Sequence, residues 1–184
     1  MYSDQELVKL CQQNNAKAQR ELYEKYKSRL MGLSVRYTKL REEAEDVFQE
    51  AYVKIFKNIK QLQKVESLEK WMKQTLVNTA INYYHKHKRH KGHVDYEVVQ
   101  IANADYEKII GRLANDELLT VINRLPEGYK MVFNLYVIEN YNHKEIGEML
   151  KISENTSKSQ LSRAKVFLKK ELENLGIKKF ERDV

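Results

Sequence analysis

Apolar residues in the first half of the chain recur at steps of three and four, which is the spacing of one face of an α-helix. The clearest run is in residues 42–62, where the apolar positions are Ala44, Val47, Phe48, Ala51, Tyr52, Ile55, Ile59 and Leu62. Capping residues predict three more helices, which start after Ser3, Asn15 and Ser67. No stretch of the sequence alternates with the period of a β-strand, so we predict an all-α fold.

The regular pattern weakens in residues 94–115, which carry four acidic and two basic side chains. Residues 1–93, by contrast, have a net charge of +8, from 19 basic and 11 acidic side chains. Helical spacing returns in "DELLTVINRL" and continues after Pro126, a residue tolerated in a first helical turn. We therefore predict two small helical domains, residues 1–93 and 116–184, joined by a linker at residues 94–115.

The run "NHKEIGEMLKISENTSKSQLSRAK" predicts two helices separated by a very short turn. The first helix ends at Leu150, residues 151–153 form the turn, and Ser153 is a natural N-cap for the second helix. Gly147 on the first helix is expected to let another helix approach closely. A short turn before a basic helix predicts a helix-turn-helix in the second domain, although an ordinary helical hairpin with a solvated face shares the pattern.

In a helix-turn-helix, the start of the second helix enters the major groove of DNA, where slim polar side chains read base edges. The residues near this tip, and therefore the candidate contacts with duplex DNA, are Asn155, Thr156, Lys158, Ser159 and Arg163.

The composition favours a nucleic-acid partner. The 184 residues carry a net charge of +7 with a pI near 9.2, which is typical of a protein that binds a polyanion. Cys11 is the one cysteine, so no disulfide forms within the chain, as expected of a cytoplasmic protein. We also expect no membrane insertion, because no apolar run approaches the roughly 18 residues of a spanning helix.

The sequence offers no chemistry typical of an enzyme. It contains no glycine-rich phosphate loop, no HExxH and no nucleophile elbow, so we expect neither catalysis nor a cofactor. Residues 85–93, "HKHKRHKGH", hold four of the five histidines, but no cysteine accompanies them and four lysines and arginines would repel a cation. We therefore expect no metal site there, and predict contacts with phosphate instead.

The two halves together resemble a known protein family. The run from "LPEGYKMVFNLYVIENY" through the helix-turn-helix to "KVFLKKEL" resembles region 4 of bacterial sigma factors. The earlier runs "AEDVFQEAYVKIF" and "EKWMKQTLVNTAINYYHKHKR" resemble region 2. The order and spacing are those of the short, two-domain extracytoplasmic-function class, and no sequence remains for the extra domains of housekeeping sigma factors.

The resemblance implies a function. Proteins of this class bind core RNA polymerase and direct it to promoters. Region 4 reads the upstream (−35) element as duplex, while region 2 docks on the polymerase clamp and captures the melted strand of the downstream (−10) element. Whether an anti-sigma factor also binds this chain stays open.

The resemblance also implies roles for residues of the first domain. Asp46, Gln49 and Glu50 match positions that contact the clamp, although a solvated acidic face is the plain alternative. Five residues are expected to contact the downstream element, because they match family positions or lie in a basic stretch of the sequence. They are Lys64, Asn78, Asn82, Lys86 and Arg89. Simple surface polarity is the alternative for the two asparagines.

Three residues of the helix-turn-helix depart from the family pattern. Lys151 stands where the family usually has glycine, Ser157 where it has valine or isoleucine, and Gln160 where arginine is common. These departures bear on the promoter sequence rather than on the function.

Two other classes of protein share part of the pattern. A stand-alone helix-turn-helix regulator, such as a repressor or a response-regulator output domain, explains residues 116–175 but not the third and fourth helices. A protein-binding helical adaptor predicts no salt-sensitive binding to DNA at all.

Overall fold

The structure is a computed structural model of the chain, and it describes residues 2–62, 67–88 and 115–175. Every regular element in these ranges is helical, which confirms the predicted all-α fold. The chain forms two compact units, Met1–His90 and Lys91–Val184. Residues 94–114 of the predicted linker lie outside the described residues, and its last residue, Asn115, already begins a helix.

The first unit contains four helices in the described ranges: α1 (Asp4–Gln12), α2 (Ala16–Tyr37), α3 (Arg41–Asn58) and α4 (Leu68–Lys88). A 3-10 turn, Ile59–Gln61, follows α3. The sequence explains where the first two helices begin. The Ser3 hydroxyl accepts from the Glu6 amide at 3.3 Å, and the Asn15 side chain accepts from the Ala18 amide at 3.0 Å.

The core of the first unit lies between α2, α3 and α4. Its buried apolar side chains include Leu22, Leu30, Val47, Ile55, Met72 and Leu76. Helix α1 packs across α2, and the Gln12 side-chain amide donates to the carbonyls of Ile59 and Leu62 at 3.1 and 3.2 Å. Gln12 therefore ties α1 to the 3-10 turn at the end of α3.

The second unit contains α5 (Asn115–Asn123), α6 (Glu127–Phe133), α7 (His143–Leu150) and α8 (Glu154–Asn174) among its described residues. One turn of π-helix, Asn134–Ile138, continues α6. The long helix α8 packs against α5, α6 and α7, with Leu161, Ala164 and Leu168 buried in the contact. Helices α7 and α8 are the predicted helix-turn-helix, and α8 presents its first turns beyond this core.

Candidate nucleic-acid and protein interfaces

The turn between α7 and α8 fixes where the tip of α8 lies. Lys151 ends α7 in the left-handed conformation, with φ 55° and ψ 47°, and its amide donates to the Gly147 carbonyl. This conformation costs a residue with a side chain on the order of 1 kcal/mol, which is why glycine is common at such positions. The Ser153 hydroxyl accepts from the Thr156 amide at 2.9 Å, which confirms that Ser153 caps α8.

Gly147 allows a close approach by the turn and by the start of α8. A Cβ added to this residue would lie 2.9 Å from the Ile152 carbonyl oxygen and 3.6 Å from the Glu154 nitrogen. The Ile152 amide donates to the Gly147 carbonyl at 3.0 Å. The atoms that approach Gly147 belong to the turn and to Glu154, the first residue of α8, so another helix does come close to this glycine at its first residue.

The first two turns of α8 present short polar groups and one lysine. Asn155 and Lys158 are exposed, and Lys158 pairs with Glu154 at 2.6 Å, four residues earlier on the helix. The hydroxyls of Thr156 and Ser153 lie 2.8 Å apart, and the Ser159 hydroxyl donates to the Thr156 carbonyl at 2.9 Å. Exposed ion pairs are weak, so Lys158 is available to a phosphate, and both Asn155 and Lys158 reach solvent.

Arg163 lies two turns farther along α8 and is half-buried. One of its terminal nitrogens lies 3.5 Å from the Tyr129 hydroxyl of α6, and its Nε is buried without a hydrogen bond to any residue that the structure describes. Arg163 therefore packs along α6, whereas the sequence placed it with the exposed residues of the tip.

Ser157 points away from the tip, into the contact with α7. It is completely buried, and its hydroxyl lies 3.0 Å from Nδ1 of His143, the first residue of α7. The ring of Tyr136 stacks on the His143 ring with centroids 4.5 Å apart. A buried hydroxyl without a partner costs about 1–3 kcal/mol. The hydrogen bond with His143 removes this penalty, which the sequence did not reveal.

On α3, the three predicted contact residues differ in their surroundings. Asp46 and Gln49 are exposed, and Asp46 forms no ion pair with any described residue. Glu50 is partly buried and accepts from Lys54 at 2.7 Å, while Lys54 also donates to the Thr79 hydroxyl of α4 at 3.2 Å. This hydrogen bond from Lys54 holds the pKa of Glu50 below its usual value, against the opposing effect of burial.

Sequence reasoning missed one residue of this surface. Val53 is 51% exposed, although it is a β-branched apolar residue in the middle of a long helix. It follows Asp46 by seven residues and Gln49 by four, so the three side chains share one face of α3. One signal could have identified Val53, because it does not belong to the buried apolar run of α3. Ala51 and Tyr52, which do belong to that run, lie on a different face of the helix.

Three of the residues predicted for the downstream element lie along one face of α4. Asn78, Asn82 and Lys86 follow one another at steps of four and are all exposed. The Gln74 side-chain amide donates to the Asn78 carbonyl oxygen at 3.0 Å. Lys64 and Arg89, the other two, lie outside the described residues.

Two further properties belong to the described residues alone. In residues 2–62, 67–88 and 115–175, no cluster of histidine, cysteine and carboxylate side chains could hold a metal ion. None of the helices in these ranges is both long enough and apolar enough to cross a membrane.

Comparison with known proteins assigns both units to one family. Residues 22–90 match the family described as Sigma-70 region 2, and residues 115–168 match Sigma-70, region 4. The chain is similar to the ECF RNA polymerase sigma-E factor of Haemophilus influenzae, with 26% identity over 184 residues, 94% of this chain and 97% of that protein. It is also 28% identical to the ECF RNA polymerase sigma factor SigM of Bacillus subtilis, over 85% of this chain and 96% of that protein.

Solved structures agree on the fold. The sigma factor RpoE of Bartonella quintana, described in complex with the anti-sigma factor NepR, has a TM-score of 0.50 at 20% identity, over 84% of this chain and 96% of that chain. A stand-alone regulator would leave the region-2 match unexplained. The chain therefore belongs to the extracytoplasmic-function sigma factors, and it directs RNA polymerase in the initiation of transcription.

Proposed function

We propose that three surfaces divide the work of this sigma factor. The start of α8 contacts the upstream promoter element as duplex, and the polar face of α4 contacts the melted strand of the downstream element. The exposed face of α3 binds core RNA polymerase at its clamp. All three are binding surfaces, and no catalytic step or cofactor is assigned to the chain.

The upstream assignment rests above all on the geometry of the first turn of α8. The three residues between α7 and α8, together with the Ser153 cap, fix the start of the second helix. Asn155 and Lys158 are exposed there. Asparagine pairs with the edge of adenine through two hydrogen bonds, and lysine pairs with guanine or with phosphate. Ser157 is buried against α7 and takes no part in these contacts.

The downstream assignment is supported by the amides of α4. Asn78 and Asn82 stand exposed in mid-helix, where asparagine is a mediocre helix former, so a role outside the helix accounts for them better than stability does. Lys86 extends the same face by one more step of four. The face therefore combines groups for base edges with a cation for phosphate.

The polymerase assignment is supported by the stripe of Asp46, Gln49 and Val53. An exposed apolar side chain flanked by polar ones is the composition of a small protein interface. Asp46 is the uncompensated charge of this stripe, because Glu50 is already paired with Lys54. We therefore expect Asp46 and Val53 to contribute more to polymerase binding than Glu50 does.

An anti-sigma factor remains a further proposed partner. The Bartonella quintana neighbour was solved with one, although its likeness to this chain extends only to the fold. Co-purification of the tagged, full-length chain at native expression levels tests this partner separately from polymerase, since an anti-sigma complex should contain no polymerase subunits.

The tip assignment is tested with matched pairs of variants on the same helix. Asn155→Ala and Lys158→Ala change exposed residues in the first turns of α8, and Asn174→Ala and Lys170→Ala change exposed residues near its end. Each variant, assembled with core polymerase, selects promoters from a library randomised in the upstream element. We expect Asn155→Ala to change the selected sequence and Lys158→Ala to weaken all promoters alike. Identical selections and activities for all four variants would exclude the tip from promoter reading.

A further inference from the structure

Three side chains join the elements of the helix-turn-helix unit in a single column. Tyr136 lies in the π-helical turn after α6, His143 opens α7, and Ser157 lies at the end of the first turn of α8. The rings of Tyr136 and His143 stack with centroids 4.5 Å apart and planes 21° from parallel. The His143 Nδ1 and the Ser157 hydroxyl oxygen lie 3.0 Å apart. We name these three residues the Tyr136–His143–Ser157 column.

The His143–Ser157 hydrogen bond adds a directional contact to an interface that contains several buried apolar side chains. The neighbouring contact positions of α7 and α8 are buried apolar side chains, among them Ile146, Leu150 and Leu161. Apolar contacts tolerate small shifts between helices, whereas a hydrogen bond weakens steeply outside a narrow range of distance and angle. Because Ser157 is completely buried, His143 is the partner that satisfies its hydroxyl. The bond therefore fixes the rotation and position of α8 relative to the start of α7.

Ser157 is also placed where a small shift has the largest effect on the tip. It lies between Thr156 and Lys158 in the sequence and two residues after Asn155. Any movement of α8 that breaks the bond with His143 moves these side chains by a similar amount. Base-edge hydrogen bonds need donor and acceptor within a few tenths of an ångström of their preferred distance.

We propose that His143 is a positioning residue, which sets base discrimination at the upstream element by fixing the recognition tip through Ser157, while Tyr136 holds the imidazole ring. This inference rests on the proposed role of the α8 tip in promoter reading. His143 itself need not touch DNA.

The charges around His143 make the contact sensitive to acid. Lys158, Lys165 and Glu154 face it from α8, Tyr136 covers it from the turn after α6, and Lys144 follows it on α7. Burial lowers the pKa of His143 below its ordinary value of 6.5, and Lys158 and Lys165 lower it further, against Glu154. The ring is therefore neutral at neutral pH. Acidification adds a positive charge to a ring that Lys158 and Lys165 already make harder to protonate, and Nδ1 of the charged ring can then only donate.

The test uses four variants of the full chain, each assembled with core polymerase. Ser157→Val fills the site with the apolar side chain that the family usually carries, but removes the hydroxyl. His143→Phe keeps a ring for Tyr136 and removes the bond. His143→Asn keeps a polar atom near Nδ1 without a group that titrates. Gln5→Ala, an exposed change on α1, is the control.

Transcription is measured from two kinds of promoter: one with the upstream element that the unmodified protein selects, and others with single-base variants of that element. The measured quantity is the ratio of the first to the second. We expect Ser157→Val and His143→Phe to lower this ratio at least fivefold, while the salt dependence of binding and the unfolding temperature of Ser157→Val stay unchanged. His143→Asn should restore most of the ratio. As the pH decreases below 6.5, the ratio should fall for the unmodified chain and stay constant for His143→Asn.

Two outcomes would overturn the inference, and they are distinguishable from failure of the proposed function. If Ser157→Val and His143→Phe keep the full ratio while Asn155→Ala lowers it, the tip reads DNA but the column does not position it. If Ser157→Val loses transcription only together with thermal stability, the bond serves folding alone. If Asn155→Ala also leaves the ratio unchanged, the tip assignment fails first.

Discussion

The two surfaces proposed to contact DNA are built in different ways. On α4, Asn78, Asn82 and Lys86 project from the body of one long helix at steps of four. On α8, Asn155 and Lys158 project from the first two helical turns, directly after the three residues that connect α7 to α8. The first arrangement needs only an intact helix, whereas the second depends on the turn, on its cap and on the neighbouring α7.

This difference makes the two units sensitive to different changes. A substitution on α4 or α3 should remove one contact and leave its neighbours in place. In the helix-turn-helix, Gly147, Lys151 and Ser157 are not proposed to touch DNA, yet a change at any of them should disturb base reading by the tip. We therefore expect local effects in the first unit and transmitted effects in the second.

The largest effect is expected on the surface of α3. Changing both Asp46 and Glu50 to lysine removes contacts with polymerase and adds repulsion against a basic partner. Residues that dominate an interface are worth about 2 kcal/mol or more each, so assembly with core polymerase should weaken at least a hundredfold, and transcription should stop. A titration of labelled polymerase against the variant measures the affinity.

Glu173→Lys is the control for this prediction, since it makes the same change of charge at the exposed end of α8. Because Glu50 is paired with Lys54, Asp46→Lys alone should account for most of the loss. Assembly of the double variant with the affinity of the unmodified protein would mean that this face is only a solvated surface.

The next largest effect contrasts two glycines. An added Cβ at Gly147 meets the Ile152 carbonyl at 2.9 Å, whereas one at Gly32 on α2 meets nothing within 4 Å. Gly147→Ala should therefore lower the free energy of unfolding by about 1–3 kcal/mol. Gly32→Ala should raise it by about 0.5–1 kcal/mol, because alanine favours the helix. Denaturant unfolding of both variants tests this, and equal shifts of the same sign would contradict the close approach at the turn.

A smaller effect is expected at Arg163. We expect Arg163→Ala to lower promoter-directed transcription at least tenfold while the protein stays folded. A tenfold loss corresponds to about 1.4 kcal/mol, which is within the range for one base-edge contact. Because Arg163 also lies beside the Tyr129 hydroxyl, Tyr129→Phe is the matched control. Run-off transcription should be normal for Tyr129→Phe. A similar loss in both variants would show that Arg163 acts by packing on α6.

The smallest effect is the pH dependence of stability. The pKa of His143 is lowered in the folded protein, so the unfolded chain binds the proton more readily. Above pH 6.5 both states are neutral at this residue, and the free energy of unfolding then falls as the pH decreases from 6.5 toward the lower folded pKa. Unfolding curves at several pH values should show that His143→Asn lacks this part of the decline. An identical decline in both proteins would argue against a neutral, buried His143.

Sequence reasoning predicted most of the fold, for identifiable reasons. Helix starts at Ser3, Asn15 and Ser153 depend on a side chain that bonds its own backbone, so three or four neighbouring residues suffice to predict them. The long apolar run of α3 likewise shows its buried face by spacing alone. For Lys151, in place of the usual glycine, the sequence left two outcomes open, an unusual backbone or a different turn, and the structure has the left-handed backbone.

The candidate surfaces were less predictable, because they depend on contacts between residues far apart in the sequence. Ser157 and His143 are 14 residues apart, Lys54 and Thr79 are 25 apart, and Tyr129 and Arg163 are 34 apart. None of these pairs follows from helical periodicity. They decide that Ser157 is satisfied, that Lys54 also binds α4 and that Arg163 is half-buried.

The central claim, that the tip of α8 and the face of α4 meet different promoter elements, is tested most directly by tethered DNA cleavage. Cys11 is buried, so a thiol introduced by Asn155→Cys or Asn78→Cys accepts an iron chelate selectively. In complexes of full-length protein, core polymerase and promoter, the chelate at position 155 should cut within the upstream element. The chelate at position 78 should cut at the downstream element. Cleavage at the downstream element from position 155, or no promoter cleavage from either position, would contradict the account.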